Sequence, residues 1–305
     1  MSAVPAPVFI LAAPFSGASY LAGQLAAHPQ LYAVPELCLF MADNVGELLD
    51  IFSLSQGPHG DGLLRAVAQL EFGAQTDAEI GAARDWLAQR RALGVGELLG
   101  QLAARAAPRR LVVPDTETPL RPIDLRRLLR QVPDARAIHL VRHPWTQGCR
   151  MSAWARERLF VPPDFKDHGW SPAVVDPQIP WLRANRNIET AFAARDLLRL
   201  RDEALRLGPG MLVYRDAIDG LCRALALEHS AVTWRVMQAA APWVYAGLGP
   251  RAAPYGLEAE VLETLAANDE ALAEQCSLDA ALPWRPGAEG FDAAVGMLAR
   301  EYGYR

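Results

Sequence analysis

Val8-Phe9-Ile10-Leu11-Ala12-Ala13-Pro14-Phe15-Ser16-Gly17-Ala18-Ser19-Tyr20 joins an apolar run to a glycine-bearing turn, and the expected architecture of the chain is built on it. Val8 to Ala13 is a continuous apolar run, as expected of a central parallel strand covered on both faces. Pro14 to Ala18 forms a turn, and Ser19 to Ala27 reads as a helix ending before His28-Pro29. A glycine-bearing turn between strand and helix can aim several backbone N–H groups at one anion, and the helix dipole adds to their field. Gly17 permits the turn, while Ser16 and Ser19 offer hydroxyls. The same residues also fit a plain connection in which Ser19 caps the helix. The pattern G-x-x-x-x-G-K-[ST] is absent, so ATP or GTP hydrolysis loses its main support.

Working outward, residues 42 to 106 are expected to be mostly helical, with segments Val45 to Phe52, Gly62 to Phe72, Asp77 to Arg91 and Val95 to Ala106. Leu111 to Val113 reads as a short strand stopped by Pro114, and Asp124 to Gln131 as a helix. Ala137 to Val141 is a further strand, closed by Arg142-His143-Pro144, and Trp145 to Leu159 is helical. Val161 to Pro180, rich in proline and aromatics, is long enough for a lid or a substrate wall. A long helix from Trp181 to Leu207 and a final strand from Met211 to Tyr214 complete the pattern. Alternating strands and helices predict an α/β fold: a P-loop-type parallel sheet flanked by helices, with helix-rich insertions, in one domain over 1–305. Ligands of such sheets sit at the carboxyl ends of strands, here expected at Pro14, Pro114, Arg142 and Arg215.

Composition narrows the function classes. The chain has 305 residues, is 51% hydrophobic and carries a formal charge of −5, which argues against a nucleic-acid or anionic-membrane partner. Positive charge is almost all arginine; Lys166 is the only lysine, so the loop lacks a lysine cation unless Lys166 folds back to it. Cys38, Cys149, Cys222 and Cys276 form no CxxC pair, which argues against a zinc site or a disulfide framework and fits a reducing cytoplasm. The apolar start lacks a basic leader and is read as a buried strand rather than a signal peptide, and no apolar run reaches membrane-spanning length. Nothing in the sequence opposes a homodimer.

Several segments, taken in order, resemble bacterial sulfotransferases that use 3′-phosphoadenosine-5′-phosphosulfate (PAPS), in the style of natural-product pathways. V-F-I-L-A-A-P-F-S-G-A-S-Y-L with A-A-H-P-Q-L-Y-A-V-P-E-L-C-L-F is similar to their opening A-P-R-S-G-T-T, A-H-P and P-P-E-L-H-L. R-A-I-H-L-V-R-H-P at Arg136 to Pro144 resembles the family's Y-I-H-L-V-R-H-P strand and 3′-phosphate loop. T-E-T-P at Thr116 to Pro119, R-A-N-R-N-I at Arg183 to Ile188 and L-V-Y-R-D-A at Leu212 to Ala217 resemble D-K-T-P, N-R-N-I and V-R-Y-E-D-L, so the likeness covers roughly residues 7 to 220. The resemblance implies a sulfotransferase fold with PAPS as donor and no metal. It places the 5′-phosphosulfate on Phe15, Ser16, Gly17, Ala18, Ser19 and Tyr20, and the 3′-phosphate on Arg142. Glu36 would face a small-molecule or carrier-bound acceptor as its base.

Four positions depart from the family pattern. Phe15 stands for the loop Arg or Lys, Glu117 for the lysine of D-K-T-P, and Cys38 for the histidine of E-L-H-L. Arg150 replaces the serine eight positions after Arg142, and its charge could serve the same phosphate. Losing a cation that neutralises a leaving phosphate costs about two to three orders of magnitude in rate, by analogy with deleting an oxyanion donor. Glu117 is either an altered acid/base or half of an ion pair, and His143 suits either catalysis or packing. His139, mid-strand, is read as a packed core histidine. The expected function is sulfuryl transfer from PAPS to a hydroxyl. The alternative is a degenerate or repurposed relative acting as a binding or scaffold protein in a biosynthetic pathway. A P-loop kinase, with Asp115 on magnesium, is the weakest reading.

Overall fold

The computed structural model describes residues 4–54, 58–158, 161–206, 211–238, 243–258, 277–285 and 289–305. Five parallel strands form one sheet: β1 (Val8–Ala12), β2 (Leu31–Ala33), β3 (Arg110–Asp115), β4 (Arg136–Val141) and, after an antiparallel pair of two-residue strands β5 (Lys166–Asp167) and β6 (Val174–Val175), β7 (Leu197–Arg201). Their spatial order is β2-β3-β1-β4-β7. Every residue of β1 is buried, because β3 and β4 flank it and helices cover both faces. The register pairs Val8 with Val112 on one side and with Arg136 on the other.

Helix α1 (Ala18–Ala26) follows β1, and α2 (Val45–Leu54), α3 (Asp61–Phe72), α4 (Asp77–Ala88) and α5 (Val95–Ala106) form the helix-rich insertion before β3. Each begins or ends at a readable signal. Thr76 accepts the Ala78 N–H at the start of α4, and Glu97 reaches back to the Gly94 N–H at the start of α5. Further on lie α6 (Pro122–Gln131), α7 (Pro144–Arg156), α8 (Gln178–Phe192), α9 (Met211–Ala224), α10 (Ala231–Gln238) and a last described helix at Ala293–Glu301. Among the described residues no helix is long and apolar enough to cross a membrane.

Three expectations need correction. Pro114 lies inside β3 instead of stopping it. Val112 O accepts from Val34 N at 3.0 Å, so Val112 turns its polar groups toward β2, and Pro114, two residues on, turns the same way. As β2 ends at Ala33, no neighbour there requires the N–H that proline lacks.

The predicted helix from Trp181 to Leu207 breaks after Phe192, and the chain re-enters the sheet as β7. The alternation Leu198-Arg199-Leu200-Arg201, half-buried and exposed in turn, is that of an edge strand; its leucine and arginine content also suits a helix, which hid it. The strand predicted at Met211 to Tyr214 is instead the first turn of α9, whose buried Tyr214, Ile218 and Leu221 recur at helical spacing. Arg215 therefore does not end a strand; it is exposed on α9 and lies 3.8 Å from Asp219.

Candidate functional site

Because β1 sits between β3 and β4, the loops leaving their carboxyl ends converge on one crevice, the place where open α/β sheets hold ligands. The loop after β1 is built on two left-handed residues, Phe15 (φ 65°) and Gly17 (φ 87°). A bulky side chain in that region is strained. Phe15 keeps the conformation because its carbonyl accepts from Arg142 Nη1 at 2.7 Å and its ring packs 5.5 Å from Trp154. Gln147 Nε2 donates to Pro14 O at 2.8 Å, so α7 fixes the loop at a second point.

Arg142 is not aimed at open space. It is 1% exposed, and its Nε and Nη2 donate to Asp202 Oδ2 at 2.8 and 2.6 Å. Asp202, in the turn after β7, also accepts from Arg206 Nε at 2.7 Å. Burial works against the Asp202 charge, but Arg142 and Arg206 outweigh it and hold the carboxyl below its usual range. Arg206 in turn lies over the Tyr20 ring, 4.5 Å from its centroid. Gly17 faces this pair so closely that a Cβ would lie 2.3 Å from Asp202 Oδ1 and 3.0 Å from Arg142 Nη2. Glycine is thus required both by its dihedral and by the approach of the carboxylate.

At the start of α1, Ala18 and Ser19 are buried, and the Ser19 N–H donates to Glu258 Oε2 at 3.0 Å. Ser19 Oγ accepts the Glu258 N–H at the same distance. Ser16 Oγ is buried without a hydrogen-bond partner among the described residues. The loop therefore meets the electrostatic needs of an anion: one N–H already holds a carboxylate, and a further hydroxyl is available. Arg150 is buried on α7, the helix that begins two residues after Arg142.

The opposite wall comes from the segments after β2 and β3. Glu36 Oε1 accepts from the Thr116 and Glu117 N–H groups and from Thr116 Oγ1. Asp115, at the end of β3, accepts from the Glu117 and Thr118 N–H groups and from Thr118 Oγ1. Burial first, then the Asp115 carboxylate, pushes Glu36 up to about 8. Burial likewise raises Asp115 to about 6. Cys38 is buried behind Glu36 in a left-handed conformation (φ 49°) and has its thiol pushed up, by burial and then by Glu36. Glu117 forms an ion pair with Arg121 at 2.9 Å, and Arg121 also reaches Asp124 at 3.2 Å.

His143 lies on the other side of the β4 loop. Its Nδ1 accepts the Trp145 N–H at 3.1 Å, which caps α7 and leaves the ring proton on Nε2. Its ring packs 5.0 Å from Tyr304 and 6.4 Å from Phe291, and burial pushes it down to about 4. These contacts give His143 a capping role. His139 is a core histidine, hydrogen-bonded through Nε2 to Asn185 Oδ1 at 2.8 Å.

Sequence reading missed Asp202, Arg206, Gln147 and Glu258. Asp202 and Arg206 fell inside the helix predicted over β7, although the period-two alternation before Asp202 was the available signal. Gln147 sits on a correctly expected helix, but nothing local points it at Pro14. Glu258 is 239 residues from Ser19, beyond any local pattern.

Comparison with known proteins agrees with this fold. The family model described as "Sulfotransferase family" matches residues 7–203, more than half of the chain. Among solved structures, a sulfotransferase domain from the curacin biosynthetic pathway is similar at TM-score 0.72 and 22% identity, over 100% of this chain and 99% of that one. A sulfotransferase domain from the Synechococcus PCC 7002 olefin synthase is similar at TM-score 0.69 and 23% identity, over 99% and 95%. At these identities the likeness of the structures is one of fold. No curated protein matches the sequence.

Proposed function

The chain belongs to the sulfotransferase family, and from that premise we propose that it transfers a sulfuryl group from PAPS to a hydroxyl of a small-molecule or carrier-bound acceptor in a biosynthetic pathway. The observation that carries the donor assignment is the loop after β1: a left-handed Gly17, a buried unpartnered Ser16 Oγ, and a Ser19 N–H that already binds a carboxylate. Phe15 to Tyr20 would hold the phosphosulfate end mainly through backbone groups, since Phe15 contributes no charge. PAPS supplies the activated sulfuryl group. The protein's task is then positioning and charge neutralisation, as in phosphoryl transfer.

Arg142 serves this reading first as a positioning residue, through Phe15 O and Asp202. Arg150 on the same side adds charge for the 3′-phosphate. Glu36 is the base for the acceptor hydroxyl; with its carboxyl raised to about 8, it accepts a proton more readily as pH rises through that value. Glu117, tied to Arg121, tunes the charge beside it. The two similar domains come from the curacin pathway and an olefin synthase, which favours a biosynthetic acceptor here as well.

Calorimetry with 3′,5′-ADP tests the donor. The native protein is expected to bind it, and Arg142→Ala to lose at least most of that affinity because the loop loses its clamp. Absence of binding at millimolar ligand would end the PAPS reading.

A further inference from the structure

Among the described residues, two carboxylates of the chain lie against the loop after β1, those of Asp202 and Glu258. Asp202 is matched by Arg142 and Arg206 and belongs to the frame of the loop. Glu258 accepts a hydrogen bond from the Ser19 N–H at the N-terminus of α1, the position at which such a loop receives an anionic ligand. The contact is reciprocal, since the Glu258 N–H donates to Ser19 Oγ at 3.0 Å.

The chain leading to Glu258 is anchored on three sides. Arg65, 2% exposed, donates to Tyr245 O at 2.7 Å and to Tyr255 O at 3.0 Å. Gly256 O accepts the Glu36 N–H at 2.9 Å. Gly256 itself is left-handed (φ 103°), and a Cβ there would lie 2.5 Å from Gly62 Cα. This packing delivers the Glu258 carboxylate to the loop from a pinned backbone two residues earlier.

We infer that Glu258 is a resident anion of the phosphate loop, an autoinhibitory contact that the anionic end of the donor must displace before it can use the Ser19 N–H. The inference rests on the donor reading above for the identity of the displacing ligand, but not for the contact itself. Two carboxylate or phosphate oxygens cannot share one N–H at hydrogen-bond distance without mutual repulsion. The Glu258 side chain therefore turns away when the ligand enters, while its anchored backbone stays.

Inorganic sulfate is the probe that separates the two ideas, with binding followed through the backbone amide signals of Ser19 and its neighbours in the full chain. Glu258→Gln, nearly isosteric, and Glu258→Ala are both expected to bind sulfate at the loop about tenfold more tightly than the native protein, the usual scale of a charge-assisted hydrogen bond removed from competition. Both are also expected to bind 3′,5′-ADP more tightly. Sulfate binding unchanged or weakened in both variants would overturn the inference and leave Glu258 as a cap of α1. If sulfate binding tightens tenfold while neither native nor variant protein binds 3′,5′-ADP, the resident anion stands and the PAPS assignment falls.

Discussion

The two walls of the crevice bury charge by opposite means. On the β1–β4 side, Asp202 is flanked by two arginines and remains ionised, with its carboxyl held below the usual range. On the β2–β3 side, Glu36 and Asp115 are satisfied by backbone N–H groups and threonine hydroxyls, and their carboxyls are raised. Cations stabilise the charged form outright, whereas N–H donors offset only part of the desolvation when two carboxylates are close. One wall is therefore a rigid ionic frame, and the other is a pair of acids that titrate near neutral pH.

The strongest way to break that contrast is Asp202→Ala, which leaves Arg142 buried without its carboxylate. Removing one partner of a buried pair costs about 3–5 kcal/mol, and urea denaturation should show a loss of that size. A loss near that of an exposed pair would mean that the frame is held by packing and not by charge.

The acid wall predicts a smaller effect with a defined sign. Glu36 keeps its proton in the folded state up to about 8, against 4.5 for an ordinary glutamate, so the native state binds more protons between those values. Its contribution to stability is fully present below 4.5 and is lost as pH rises through about 8. His139 and His143, lowered from 6.5 to about 4, act in the opposite sense at lower pH. Above 6.5 the Glu36 effect should dominate, with native stability falling by about 1–2 kcal/mol toward pH 8. Glu36→Gln should flatten that slope in urea midpoints measured at half-unit intervals; an unchanged slope would place the titrating group elsewhere.

The smallest effect concerns Glu117, whose charge reversal is the most conspicuous departure from the family pattern. Its partner Arg121 is 45% exposed, so Arg121→Ala should cost about 1 kcal/mol or less by thermal unfolding. A larger loss would tie the ion pair to the acid wall beneath it.

Most of the frame was legible because it is written in local patterns. The apolar run of β1, the glycine turn, the proline at the start of α7 and the apolar spacing of α2 to α5 each fix nearby backbone. Two failures have a shared cause. Leu197 to Arg201 holds only leucine and arginine, and Met211 to Tyr214 mixes methionine and leucine with valine and tyrosine; both are short, so local preference does not separate strand from helix there. Position at a sheet edge decided the first, and the buried Tyr214-Ile218-Leu221 face decided the second.

The candidate site divides in the same way. The positions of the loop after β1 and of Glu36 were legible in the sequence because glycine and proline mark them. Their electrical state was not, because it depends on groups far along the chain: Asp202 on Arg142, Asp115 on Glu36, Glu258 on Ser19. That a strand, a glycine turn and a helix form a backbone cradle follows from local residues alone, since dihedral freedom and apolar periodicity act over a few residues. The fold, in contrast, paired Arg142 and raised the Glu36 carboxyl. It also showed that a carboxylate already lies on the cradle, because charge and burial are set by what the fold brings within a few ångströms.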